Sequence, residues 1–542
     1  MSVMKKPFSR IRRGSKGSLL LSFPMLAALG ISMFTTSAAE VLKPDAFKPY
    51  VDAFNADDNE LYQQRYPNAA AWDFLRNNIP LFECPDKELE KTYYFRWWTY
   101  RKHIRQTPDG FVITEFLPDV PWAGKYNTIS CPAGHHFYEG RWLKDAALLD
   151  DYGRFWFRHG GDPCKYSFWA ADAMWGRYLV TGDPAQVKDL LPDLEANYQA
   201  WERKRRDPNG HFWQYDNDDG MEVAVGGNGY RPTINSYMYG DAKALAKIAI
   251  LAGQPEVARK FEAEAAGIKH FVQTVLWDKE AQFFKMVRRG NTPVADQDMK
   301  LVDVREEIGL TPWYFNLPDP NAGYEVAWKQ LTDPKGFKAP YGPTVTEQRH
   351  PKFTVSYEGH ECQWNGPSWP LSTAITLTGM ANVLNNYRQT AITSADYFEA
   401  LQTFSNSHRR KTEDGKVILW IDENLHPDTG DWISRTLLLQ RNAKPKERGK
   451  DYNHSTFCDL VITGLVGLRP RADSIVELNP LIPPGHWDYF CLDRIGYHGN
   501  SLTILWDKTG KQYGRGKGFQ VFANGKRIAS AAKLGRVTGK LP

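Results

Sequence analysis

The sequence predicts a mainly α-helical body closed by a small β module, on three observations. From about residue 87 to 468, apolar residues recur every three or four positions in one stretch after another. Clusters such as Gly182-Asp183-Pro184, Asp207-Pro208-Asn209-Gly210 and Gly253-Gln254-Pro255 punctuate those stretches, stopping one helix and starting the next. After Pro470 the apolar period changes from about 3.6 to 2. At 542 residues the chain exceeds one ordinary core, which implies one large domain with accessories.

Residues 1–39 read as a signal peptide. Lys5, Lys6, Arg10, Arg12, Arg13 and Lys16 make a basic start, residues 19–34 are mostly apolar, and Ser37-Ala38-Ala39 supplies small residues for cleavage. Ser22, Pro24, Gly30 and Ser32 interrupt the apolar run, which favours cleavage over a retained anchor. A periplasmic or secreted protein, free of the membrane after cleavage, is expected. Arg12-Arg13 lacks a twin-arginine context, so the route stays open. Residues 40–86, rich in Pro, Asn and Asp, read as a lead-in with no independent core. Within 87–470 the periodicity predicts helices over 88–106, 139–157, 167–180, 185–204, 234–253, 255–276, 368–387 and 394–408. Between them lie long Gly-rich loops, 205–233, 339–367 and 412–454, crowded with Trp, Tyr, Asp, Glu and His; long structured loops are usually functional. No fixed repeat period appears, which argues against a solenoid. Residues 471–542 form the β-sandwich-like module, with Asn524-Gly525 as a hairpin signal.

The charge balance narrows the partners. The chain holds 68 Lys+Arg against 63 Asp+Glu, and the first 39 residues carry six bases and no acid. Their removal leaves 62 against 63, so no basic field remains to draw in nucleic acid. Six scattered cysteines have neither zinc-site spacing nor disulfide-scaffold density, and their pairing is not encoded. The 19 Trp, 26 Tyr and 28 Phe are many for one chain. Such rings fill large cores, and they also make platforms for ligands with apolar faces, sugars included.

Two acidic stretches carry the chemistry. In Asp216-Asn217-Asp218-Asp219-Gly220-Met221-Glu222-Val223, a calcium loop of the EF-hand type is excluded by register: position five falls on Gly220, six on Met221 and twelve on Gly227. A calcium site of another type stays open. The second stretch, residues 419–432, sets Asp422 and Glu423 among aromatics before a Pro427-Asp428-Thr429-Gly430 turn. Two separate loops offering carboxyls amid aromatics fit glycoside hydrolysis, which needs a carboxylic acid at the leaving oxygen and a second carboxylate across the ring.

These residues resemble the α/α-barrel glycoside hydrolases around processing α-glucosidase I and the bacterial mannosylglycerate and glucosylglycerate hydrolases (family 63), with trehalase more distant. Gly220-Met221-Glu222 is similar to the family's acid segment Gly-Met-Asp, with Glu in place of Asp. The stretch from Glu423 to Gly430 is similar in spacing to the base segment that ends Pro-x-Thr-Gly. Trp364-Asn365-Gly366-Pro367-Ser368-Trp369 resembles the Trp-x-Gly-Pro-x-Trp loop, Phe168-Trp169-Ala170-Ala171-Asp172 an early helix start, and Tyr230-Arg231-Pro232-Thr233 the segment after the acid. The resemblance covers roughly residues 90–470 and implies an (α/α)6 barrel of six helical hairpins. It also implies an inverting, exo-acting hydrolase of α-linked glycans or glycosides; separately, no cofactor is expected, and no zinc constellation appears among the residues. Glu222 is the implied general acid and Glu423 the implied general base. The implied sugar contacts are Trp169, Asp172, Asp219, Arg231, Trp364, Asn365, Gly366, Trp369 and His454.

Departures and alternatives accompany this reading. Glu for Asp lengthens the acid by one methylene, and Val223 to Gly227 replace the family's polar continuation, so the sugar itself is not carried over. Gly226 to Gly229 reads as a surface loop or a mobile lip. Asp216, Asp218 and Asp219 are read as partners of the acid; Asp422, Glu358 and Glu361 are rival bases; His135-His136 and Asp451-Tyr452-Asn453-His454 are polar clusters for binding or structure. A polysaccharide lyase on an α/α toroid is a second reading, with Tyr452, Asn453, His454 and Arg231 as its machinery. A non-catalytic glycan-binding protein is a third. Linkage and oligomeric state are written in no motif.

Overall fold

A computed structural model describes residues 40–289, 299–445 and 447–542; the signal-peptide reading of residues 1–39 lies outside them. Among the described residues no helix is long and apolar enough to cross a membrane.

The body is an (α/α)6 barrel. Its inner ring comprises the helices Ala133–Gly140, Ala170–Thr181 and Pro232–Leu251, the 3-10 helix Glu307–Phe315, the helix Pro370–Asn386 and the π-helical segment Leu460–Leu465. Each packs on the next in that order. Pro232–Leu251 shows why it lies inside: 16 of its 20 residues are buried, and its sides are apolar or small all round. The outer helix Pro255–Phe271 behind it instead buries one stripe, Ala258, Phe261, Ala265 and Ile268. The ring closes between its last and first members. The amides of Phe457, Cys458 and Asp459 donate to the Glu139 carboxylate, and Arg141 pairs with Asp459 at 2.8 Å.

Differences from the sequence-based helices have local causes. The stretch expected as 185–204 is two helices, Ala185–Asp189 and Leu191–Arg205, because Pro192 lacks the N–H that continuity requires and so opens a new first turn. The stretch expected as 139–157 divides into Ala133–Gly140 and Ala147–Arg158, with Arg141 tied to Asp459 at the break. Glu307–Phe315 and Leu460–Leu465, both inner-ring members, carry no α-period because their windings are 3-10 and π.

The lead-in has no core of its own. Its helices Lys48–Ala56 and Ala71–Asn78 cover the aromatic face of Lys87–Lys102, with Phe54 at 5.6 Å from Phe95 and Phe47 stacked at 4.7 Å on Tyr94. Its strand Leu81–Glu83 then joins the C-terminal sheet, Phe82 opposite Leu492. That antiparallel sheet continues through Tyr489–Tyr497, Asn500–Asp507, Gly518–Ala523 and Lys526–Ala531. The last two strands turn at Asn524-Gly525, where both residues hold the positive φ that a tight hairpin of this twist requires. A three-stranded sheet, Leu468–Arg469, Ile475–Leu478 and Val537–Lys540, lies beside it.

Candidate active site

A cavity of about 290 Å³ opens at the N-terminal mouth of the inner ring. Its wall is built from the segments that lead into inner helices: Cys131 precedes Ala133–Gly140, Tyr166 precedes Ala170–Thr181, Glu222 precedes Pro232–Leu251, Trp369 precedes Pro370–Asn386, and Tyr452 and His454 precede Leu460–Leu465. Residues far apart in the chain therefore face one another.

The acidic loop 216–223 is held from below. Asp219 is fully buried, 2.6 Å from the Arg231 guanidinium, and accepts the hydroxyls of Ser167 and Thr233. Asp218 is fixed by Arg205 at 2.6 Å, and Asp216 accepts the amide of Asn217. Above this anchor Gly220 turns with φ +69°, where a β-carbon would stand 2.7 Å from the Cys131 sulfur. Glu222 then reaches the cavity. Its backbone carbonyl accepts the Trp364 amide at 3.0 Å, and no side chain of the described residues ties its carboxyl. Val223 follows with φ 67°, a strained state for a β-branched residue that the surrounding contacts must impose. Burial pushes Glu222 up to about 7, and the nearby charge of Glu423 adds to this.

Glu423 comes from the opposite loop and is almost wholly buried. Its neighbour Asp422 is locked by Arg435 at 2.8 Å and accepts the Trp420 indole N–H and the Glu423 amide, so it supports the loop and does not line the cavity. The Cys362 thiol donates to Glu423 Oε2 at 3.0 Å, and Arg448 stands 4.0 Å from Oε1 while pairing with Glu361 at 2.7 Å. Burial raises Glu423; the Arg448 charge and the thiol hydrogen bond oppose the rise. Burial and the neighbouring carboxylates lift the Cys362 thiol well above its usual range, which keeps it a donor. At the floor, His454 lies 3.8 Å from the Tyr452 ring, and neither of its ring nitrogens has a hydrogen-bond partner among the described residues. Burial holds it neutral.

Of the eleven residues to which the resemblance gives a catalytic or sugar-contact role, Glu222, Glu423, Trp369 and His454 line this cavity, as do the rival base Glu361 and the cluster residue Tyr452. The other seven of the eleven do not. Trp364 stacks behind Trp369 at 4.4 Å; the Asn365 carbonyl accepts the Thr354 amide at 2.9 Å; and Gly366 packs against the Thr354 backbone where no side chain fits. Asp219 and Arg231 are consumed by their mutual ion pair beneath the loop. Trp169 sits at the ring's interior on Tyr237, 4.7 Å away, with Gly134 against its indole. Asp172 accepts the Tyr138 hydroxyl at 2.6 Å in a second cavity toward the C-terminal ends of the inner helices. Glu115, Cys131, Tyr166, Cys362 and Arg448 were not singled out, yet they share the wall. Glu115 had a signal, a lone acid within Ile113-Thr114-Glu115-Phe116-Leu117; Arg448, in a run of Lys and Arg, had none. The lyase constellation does not assemble: Arg231 is bound to Asp219, and the Tyr452 hydroxyl is given to Glu115. Among the described residues no three His, Cys, Asp or Glu side chains have the geometry to hold a metal ion.

Comparison with known proteins places residues 125–455 on the model of the mannosylglycerate hydrolase MGH1-like glycoside hydrolase domain and residues 468–529 on that of the glycosyl hydrolase family 65 C-terminal domain. A solved structure named "Sialidase" shares 45% identity over 92% of this chain with a TM-score of 0.85; the chain spans only 45% of that protein's length. A GH78 family rhamnosidase of Bacillus sp. GL1 matches at 11% identity over 79% of this chain and 40% of its own, TM-score 0.50, a likeness of fold alone. A GH63 mannosylglycerate hydrolase of Thermus thermophilus matches at 13% identity over 65% of this chain and all of its own, TM-score 0.47.

Proposed function

The chain belongs to the mannosylglycerate hydrolase MGH1-like glycoside hydrolases, and from that premise we propose that it is an exported, inverting, exo-acting glycosidase with Glu222 as general acid and Glu423 as general base. The observation that carries this reading is the meeting of the two carboxyls in one cavity with unlike surroundings. Glu222, free of ion pairs among the described residues and raised to about 7, holds a proton for the glycosidic oxygen. Glu423 is raised by burial too, but Arg448 and the Cys362 thiol oppose that rise and favour its ionised form, as a base requires. In the proposed step Glu423 takes a proton from water, the water oxygen bonds to the anomeric carbon, and the leaving oxygen departs with the Glu222 proton. The cavity, at about 290 Å³, sits at the low end of the roughly 300–1,000 Å³ of drug-sized ligand sites, which supports binding of one terminal sugar. The basic and then apolar character of residues 1–39 supports export.

The deciding experiment is proton NMR of the first product after mixing with a cleaved glycoside. An anomer inverted relative to the substrate is expected; retention overturns the mechanism. The pH profile checks the acid. Activity should fall as pH rises through about 7, because Glu222 then loses the proton it must donate. Glu222→Gln should remove that limb and hurt glycosides with poor leaving groups far more than activated aryl glycosides.

Cys362 has its own expected signature. Its thiol hydrogen bond favours ionised Glu423, so Cys362→Ala should shift the acidic limb of kcat/KM to higher pH, while Cys362→Ser, which keeps a donor, should leave it near that of the wild type. Equal profiles for the three proteins would remove the thiol from the mechanism.

A further inference from the structure

Glu115 is a further carboxyl on the cavity wall beside Glu222, Glu361 and Glu423, only 5% exposed, and it has no part in the proposed proton transfers. Its backbone is pinned: its carbonyl accepts the Asn453 amide at 3.1 Å, and the Asn453 side-chain amide donates to the Thr114 carbonyl at 3.2 Å. One carboxyl oxygen accepts the Tyr452 hydroxyl. The other has no hydrogen-bond partner among the described residues and belongs to the cavity.

Two basic side chains, His360 and Arg448, share the described wall with Glu115, and the groups nearest it are acidic or neutral. Glu222 and Glu423 lie across the cavity, Cys131, Tyr152 and Tyr166 adjoin it from neighbouring elements, and the ring of His454 is neutral. Arg448 gives Nη2 to Glu361 at 2.7 Å and stands 4.0 Å from Glu423, its buried Nε having no hydrogen-bond partner among the described residues, while His360 Nδ1 accepts the Cys362 amide at 3.1 Å. A bound carboxylate would therefore meet four carboxyl groups, Glu115, Glu222, Glu361 and Glu423, and one guanidinium already paired with Glu361, although an uncommitted bidentate arginine is the usual partner of a carboxylate. The N-terminal ends of the inner helices offset part of the acidic charge but provide no such fork.

We propose that Glu115 is a specificity-determining residue that donates a hydrogen bond from a protonated carboxyl to a hydroxyl of the terminal sugar, so that the cavity takes a neutral sugar and turns away one bearing a carboxylate. The proposal rests on the glycosidase reading and deepens it by naming the substrate class. Burial, with the charges of Glu423 and Glu222, pushes Glu115 up to about 8 against the opposing Tyr452 hydrogen bond, so it keeps its proton at neutral pH. As pH rises through that value the donor is lost and a charge is added beside Glu423. The inference sets this chain apart from the activity that the name of its 45% identical neighbour states, since a sialic acid carries a carboxylate.

The test uses the full chain, a panel of 4-nitrophenyl glycosides of neutral hexoses and pentoses, the matching glucuronide and a sialoside, and calorimetric binding of the corresponding free sugars. Turnover and binding are expected with neutral members alone. Glu115→Gln, a neutral isostere with a donor, should stay within about threefold of wild type in KM and lose the rise of KM above about pH 8. Glu115→Ala should raise KM about tenfold, the worth of one net hydrogen bond, with a smaller effect on kcat. If the alanine variant fails to fold, Tyr452→Phe decides: loss of its hydrogen bond should move the alkaline rise of KM to higher pH. Comparable use of the glucuronide or sialoside, equal damage by Gln and Ala, or no shift in Tyr452→Phe overturns the proposal. Cleavage of no glycoside overturns the glycosidase reading instead. The binding arm then still judges Glu115: neutral sugars bound more weakly by Glu115→Ala than by Glu115→Gln support it, and binding of acidic sugars, or of none, overturns it.

Discussion

Replacing Glu423 with Gln is expected to lower kcat about 10²–10⁴-fold, the range in which a positioned general base contributes, with KM changed little. The substitution keeps the shape of the side chain and removes its ability to take a proton from water. Its surroundings are not disturbed: Asp422 keeps Arg435 at 2.8 Å, and the Glu423 amide keeps its bond to Asp422. Arg448 also stays paired with Glu361. The loss should therefore reside in kcat. Adding azide to Glu423→Ala offers a second readout, because an anionic nucleophile entering the vacated space needs no base and should restore turnover with inverted stereochemistry. Steady-state kinetics on any cleaved glycoside measures the first effect and product NMR the second. Near-normal turnover of Glu423→Gln would remove Glu423 from the chemistry.

Arg231→Ala is expected to cost about 3–5 kcal/mol of stability, the effect of stranding one member of a buried ion pair. Asp219 and Arg231 are both fully buried at 2.6 Å, and the Arg231 guanidinium also donates to the Gly227 carbonyl. Removing the guanidinium leaves the Asp219 carboxylate with only the hydroxyls of Ser167 and Thr233. Because that carboxylate anchors the turn carrying Glu222, activity should fall with stability. The double variant Asp219→Asn with Arg231→Met, which leaves no unpaired charge, should recover most of the loss. Denaturant midpoints of the single and double variants measure both; equal midpoints for wild type and Arg231→Ala would show that the loop is held by something else.

Legibility followed the range of the interactions. The outer helix Pro255–Phe271 announced itself through its one-sided apolar stripe, and the Asn524-Gly525 hairpin through the φ its turn needs. The inner members Glu307–Phe315 and Leu460–Leu465 did not, since a 3-10 or π winding leaves no 3.6-residue period. The aromatic and glycine loop motif was visible as a unit, but the sequence did not say that Trp369 faces the cavity while Trp364 stacks behind it. Asp172 is expected beside the sugar, yet from the first turn of its helix its side chain lines a different cavity. A helix start tells where a side chain begins and not which cavity it meets.

The sequence by itself determined the helical body, the β module and the two acidic loops, because helix periods, turn residues and short motifs are local properties of neighbouring residues. Only the tertiary structure decided that Glu115, Glu222, Cys362, Glu423 and Arg448 share one wall and that Asp219, Asp422 and Arg231 stand behind it. That convergence depends on the closing of the inner ring, where the Glu139 carboxylate takes the amides of residues 457–459, a contact between distant parts of the chain that no local pattern encodes. The same closure buries Glu115, Glu222 and Glu423, and burial, a property of the assembled ring, raises each above the ordinary carboxylate range.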